Sequence, residues 1–293
     1  MTFIPALASA SLLLLQTAAY VPERVYDTAH KAFVDFEVML ASAAEADVIF
    51  VGEMHDDPNT HRLEAAILDG LQRRKKTPVV SLEMFERDVQ GAIDAYLAGR
   101  FGEEEALKSA RPWPRYATDY RPLVERAKAH GWPVIASNVP RRIAQAVAKS
   151  GREVIEQLPE ADRAWVARDL ECPLDTYFER FTKTMADHPA GKQTAEEQRA
   201  AMERYYWSQC VKDETMAEAI AAAVERLSAP GPLVHYNGAF HSDFGLGTAE
   251  RARRRLPGKR IVIISMLPVA DLDALQPEGE ELQRADYLVF TVK

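Results

Sequence analysis

The stretch VIFVGEMHDDPNTH, residues 48–61, decides the fold. Val48 to Val51 form an unbroken apolar run, as a strand buried on both faces requires; a strand with one wet face would alternate. Gly52 lets the chain leave that strand without a Cβ clash. Asp57 then caps, and Pro58 begins, the amphipathic helix HRLEAAILDGLQRRKK.

The same strand-then-helix grammar recurs along the chain. PVVSLEMF (78–85) precedes a helix over about 88–97, and WPVIASNVP (132–140) precedes RRIAQAVAKSG. PLVHYNGAF (232–240) precedes GTAERARRRLPG, followed by KRIVIISMLP (259–268) and ADYLVFTV (285–292). Residues 25–34 read as a strand or hairpin, and a helix capped by Asp35 runs from there to about Ala44. Val- and Ile-rich runs alternating with helices predict an α/β fold with a largely parallel central sheet flanked by helices. Between about 151 and 229 the pattern is helical throughout, which predicts a helical insertion or cap within a single domain over 23–293.

Composition narrows the function classes. With 293 residues, 47% of them hydrophobic, the chain can bury a sizeable core. A net charge of -8 provides no basic field for a polyanion, so nucleic acid is not an expected partner. Residues 1–22 carry an apolar run, Ile4 to Leu15, followed by small residues, and resemble a signal peptide. That predicts a periplasmic or outer-membrane-associated protein; the alternative is a buried N-terminal helix in a cytoplasmic one. Cys172 and Cys210 can pair in an oxidising compartment, although spacing alone does not say whether they meet.

In an open parallel sheet, ligands bind beyond the carboxyl ends of the strands. There this chain delivers Glu53 and His55, then Glu83, then Asn138, then Asn237 and His241. Glu53 and His55, two apart in extended chain, project to one side and suit a divalent metal or a general acid/base pair. The plainer reading of this loop is helix capping by its acids. GEMH at 52–55 is echoed by GAFH at 238–241, and Glu83 is a carboxylate at the end of a buried strand, which argues for a shared polar site. Glu53, His55, Glu83 and His241 are therefore the candidate catalytic residues, with Glu53, His55 and His241 the candidate metal ligands. His61 is either a surface histidine or a ligand, and His235 reads as a core residue. Arg141 and Arg142 open a helix, where the dipole disfavours cations, and either one can meet an anionic ligand group or Glu83. Tyr177, Phe178, Phe181, Met185 and His188 recur at near-helical spacing in the insertion. Such a stripe suits a core, and it also holds residue types that ligate haem iron.

Taken in order, VGEMHDDPNTH, SLEMF, the Trp113, Tyr116, Tyr120 and Pro122 run, NVPRR, YYWSQCVKDETMA and HYNGAFHSDFGLG resemble the ChaN-like haem-binding uptake proteins of the Tiki/TraB/erythromycin esterase-like superfamily. The resemblance spans about residues 25–290. It implies an exported bacterial protein that binds haem, serves iron uptake and dimerises around haem. It also implies a histidine and glutamate pocket that supports metal-dependent hydrolysis in other branches, here Glu53, His55, Glu83 and His241. No lipobox cysteine follows the leader, so membrane association is expected to be peripheral at most. Candidate cofactor contacts are His61, His188, Tyr177, Arg141 and Asn237, the axial ligand lying among His188, His61 and the tyrosines. The expected ligand is haem or another small molecule, and a divalent metal with hydrolase chemistry is the alternative.

Overall fold

A computed structural model describes residues 21–185, 194–226 and 231–293; His188 and all but the last two residues of the expected signal peptide lie outside them. Eight strands form one sheet. In chain order they are β1 (Glu23–Asp27), β2 (Ala32–Val34), β3 (Val48–Glu53), β4 (Val79–Glu86), β5 (Val134–Asn138), β6 (Leu233–Gly238), β7 (Ile261–Val269) and β8 (Tyr287–Val292). The order across the sheet is β2-β1-β8-β7-β3-β6-β4-β5. From β8 to β5 every pairing is parallel, while the β1–β2 hairpin adds antiparallel strands along the β8 edge. The opening strand is therefore central, and β3, β6, β4 and β5 are consecutive neighbours whose carboxyl ends share one rim.

Alternate residues of these strands feed two cores, as the two-residue period of a pleated strand dictates. Ile49, Val51, Val80, Leu82, Val234 and Tyr236 face one side. That side is covered by α1 (Phe36–Ala43), α2 (Pro58–Arg73), α3 (Gln90–Leu97), α4 (Glu103–Ala110), α5 (Tyr116–Asp119) and α6 (Arg121–His130). Val48, Phe50, Val79, Ile135, Leu233 and Ile263 face the other. Each such buried side chain contributes about 1.5–3 kcal/mol over its exposed state.

Asp57 caps α2 as its sequence requires, its carboxylate accepting from the backbone N–H groups of Asn59 and Thr60. Beyond β5 come α7 (Arg141–Ser150), α8 (Glu160–Arg163), α9 (Thr176–Met185) and α10 (Ala195–Arg226), with α11 (Gly247–Arg255) after β6. Between 151 and 229 the described residues hold helices, irregular chain over 164–175 and no strand, and α10 does more than cover the sheet. Its C-terminal half sets Ala217, Ile220, Ala221 and Ala223 on the second sheet face, alongside Ala249 and Ala252 of α11. Among the described residues no helix is long and apolar enough to cross a membrane.

Candidate functional site

At the end of β3, Gly52 is required by space. A Cβ there would lie 3.0 Å from both Ala239 Cα and Ser242 Oγ, so the turn after β6 can close onto β3. Glu53 follows, 1% exposed, with its Oε1 accepting the Tyr120 hydroxyl at 2.7 Å and lying 2.5 Å from His55 Nδ1. His55 is a rim residue whose side chain is 46% exposed. Its ring stands edge-on to Trp113, 5.2 Å between centroids, and packs on the bare Cα of Gly238.

Pairing of β4 with β6 stops at Leu82 and Tyr236, and the freed Gly238 N–H donates to Glu83 Oε2 at 2.8 Å. Glu83 Oε1 lies 3.3 Å from His241 Nε2, and His241 Nδ1 lies 2.6 Å from Asp213 Oδ1. Asp213, wholly buried in α10, also accepts the hydroxyls of Thr248 and Tyr177, each at 2.8 Å. His241 is thus an imidazole held between two buried carboxylates.

The electrostatics follow from these partners. Burial disfavours a charge on His241, but the adjacent Glu83 and Asp213 carboxylates outweigh it and raise its pKa to about 10. Glu83 is correspondingly held far below the carboxylate range, burial being overcome chiefly by His241. Burial likewise opposes the charge on His55, yet its bond with Glu53 and the Glu83 charge hold it above its ordinary value. Glu64 is pushed well up by burial and by the charge of Glu53. His235 shows the opposite case: wholly buried, its Nδ1 2.9 Å from Ser81 Oγ, it falls to about 3 because burial dominates.

The structure brings Glu53, His55, Glu83 and His241 to the same rim. Asn237 sits behind them, donating to Gly238 O and Ser242 Oγ and so pinning the turn. Tyr177 is 1% exposed with its hydroxyl engaged by Asp213. His61 is buried, not on the surface, with Nδ1 2.9 Å from Glu64 Oε2. Arg141 is exposed without a polar partner among the described residues, and Arg142 pairs with Asp88 and Asp162 instead of Glu83. Sequence reading missed Asp213 and Glu64. The available signals were the three-residue spacing of His61 and Glu64, which places them on one helix face, and adjacent acids inside an otherwise apolar helical pattern.

Next to the rim lies a cavity of about 510 Å³. Met54, Phe240, Phe244 and Leu246 supply apolar wall; of its three cations, Arg180 pairs with Glu280 and Arg284 with Asp243, acids of the same wall, and Lys183 adds a further positive charge. Phe244 adopts a left-handed backbone (φ 62°), an unusual conformation for an aromatic residue, and the Arg180 guanidinium lies 3.6 Å from its ring centroid.

The Gly238 contact yields a direct expectation. Its φ of -54° is open to any residue, so only space forbids a side chain, and a Cβ would fall 2.7 Å from His55 Nε2. Gly238→Ala should displace the half-exposed His55 ring from Glu53 at a cost of about 1 kcal/mol, the loss of one hydrogen bond. Denaturant melts and the His55 ring signals in NMR check this; unchanged ring signals would show that His55 does not rest on Gly238.

A family model described as haem-binding uptake, Tiki superfamily, ChaN matches residues 39–252. No curated protein matches the chain. Among solved structures it is similar to ChaN of Campylobacter jejuni, described as binding haem cofacially, with TM-score 0.66 and 16% identity over 92% of this chain and 97% of that one. It is also similar to a Bacillus cereus protein, with TM-score 0.52 and 12% identity over 87% and 90% of the two chains. At these identities the structural likenesses show the fold.

Proposed function

The chain belongs to the ChaN family of haem-binding uptake proteins in the Tiki superfamily, and from that premise we propose that it binds haem and serves haem or iron acquisition at the cell envelope. The observation that carries this reading is the family match over 39–252. The rim cavity suits the ligand: haem is flat and largely apolar with two carboxylates, and the cavity sets aromatic and aliphatic walls beside Lys183, with Arg180 and Arg284 close by in pairs with Glu280 and Asp243. Tyr177 and His61 are spoken for by Asp213 and by Glu64 and the His55 carbonyl. Of the described residues lining the cavity, that leaves Met54, 46% exposed, as the side chain of a type that ligates haem iron. A disulfide between Cys172 and Cys210 supports an oxidising compartment, in keeping with export of the chain.

Titration with haemin should show a saturable Soret shift at micromolar concentration. Haemin dimethyl ester, which lacks the free carboxylates, should bind at least about tenfold more weakly, the loss of roughly one charge-assisted contact. Absence of any saturable shift would rule out haem binding. Equal binding of the ester would move the ligand out of the basic cavity.

A second reading, hydrolysis of an ester or peptide, is favoured by the Glu53–His55 dyad. Buried Glu53 orients an exposed imidazole, the arrangement of a general base. Hydrolysis of a p-nitrophenyl ester that survives His55→Ala undiminished would dismiss it.

A further inference from the structure

We propose that Glu53, His61 and Glu64 form a buried site for one first-row divalent cation, beneath the rim and distinct from the pair of imidazoles on it. Each residue offers one ligand atom, and the three atoms lie within 4.8 Å of one another. All are buried: Glu53 1%, His61 4% and Glu64 0% exposed. The chain builds the cluster from two elements, the end of β3 and one face of the first turns of α2.

The hydrogen bonds of His61 set its orientation. Its Nε2 lies 3.1 Å from the His55 carbonyl oxygen and 3.4 Å from Asp119 Oδ2, itself held by Arg115 at 2.7 Å. A carbonyl can only accept, so Nε2 carries the hydrogen. Nδ1 then faces Glu64 Oε2 at 2.9 Å and Glu53 Oε2 at 3.7 Å. A neutral imidazole would aim its lone pair at two carboxylates, so either a proton on Nδ1 or a cation stands between them. An imidazole with one N–H tied to a carbonyl and a carboxylate, and its other nitrogen turned inward, is the outer support found around metal-ligating histidines.

A second observation points to the same place. No N–H or O–H group of the described residues reaches the buried oxygens Glu53 Oε2 and Glu64 Oε1, and the two carboxyl groups face each other, so only a shared proton or a bound cation can join them. Two carboxylates and a neutral imidazole balance a doubly charged ion. One nitrogen and two oxygens suit Mn2+, Fe2+ or Zn2+ better than Ca2+, which prefers oxygen alone. Entry is available from a cavity of about 590 Å³ over α2, α5 and α6, which His61 and Asp119 both line. Glu53 would serve two sites at once, holding the cation through Oε2 and orienting His55 through Oε1.

The full chain, purified without chelators, should carry close to one equivalent of metal by elemental analysis. After chelation, Zn2+ or Mn2+ should rebind and raise the melting temperature. Added Zn2+ should also move the His61 ring signals in NMR, a readout that needs no variant. Glu64→Gln keeps the shape and should weaken Zn2+ at least about a hundredfold. A protein that takes up neither ion, or whose His61 signals ignore Zn2+, or whose Glu64→Gln variant binds equally well, overturns the proposal and leaves a shared proton as the occupant.

Discussion

Reduction of the Cys172–Cys210 disulfide, or Cys172→Ser, is expected to lower the melting temperature by roughly 6–8 °C. The bridge spans 38 residues, and closing a loop of that length removes unfolded-state entropy worth about 4 kcal/mol. It also ties the segment before α9 to a fully buried position of α10, one turn ahead of Asp213. Around it, Tyr206 donates to Pro173 O at 2.7 Å, and Arg251 reaches Glu171 O and Cys210 Sγ, each at 3.3 Å. Cys172 is the better position for the substitution because it is partly exposed, so little packing is lost with the sulfur. Calorimetric scans of the oxidised and reduced protein decide the matter. Coincident melts would mean that the bridge constrains nothing the fold does not already hold.

The sheet was legible because its strands carry unmistakable chemistry. Apolar runs such as Val48–Val51 and Ile261–Ile264 are bounded by glycine, proline or charge, and topology then obliges their carboxyl ends to share a rim. Glu53, His55, Glu83 and His241 could be read there because each lies in the carboxyl-terminal half of a strand or within a few residues after it. The residues that complete the site come from helices, where burial is decided by neighbours remote in sequence. Asp213 lies within a 32-residue helix whose acids read as a solvated face until Thr248 and Tyr177 close over it. Glu64 reads equally as a surface acid of α2, and only the fold sets β3 beneath it. Arg142 looked available for Glu83, but Asp88 and Asp162 capture it. Helices α4 to α6 follow other helices and not a strand, so the strand-then-helix grammar did not expose them and they surfaced only as the aromatic run around Trp113.

Asp213→Asn should destabilise the protein by about 3 kcal/mol near pH 6, since removing one partner of a buried ion pair strands the other. The pH dependence separates electrostatics from shape. His241 has a folded pKa of about 10 against about 6.5 in the unfolded chain. Because folding raises that value, the stability contributed by His241 is fully present below pH 6.5 and is lost as pH rises through about 10. The amide introduced by the substitution would carry no charge to hold the imidazolium, so the folded pKa of His241 should drop and the variant should already lack much of this contribution at pH 6. The gap between wild type and Asp213→Asn should therefore be widest at pH 6 and narrow towards pH 9.5, as measured by urea unfolding at both. A gap of constant size would show that Asp213 acts by its hydrogen bonds to Tyr177 and Thr248 alone, and His241 would then need another source for its charge.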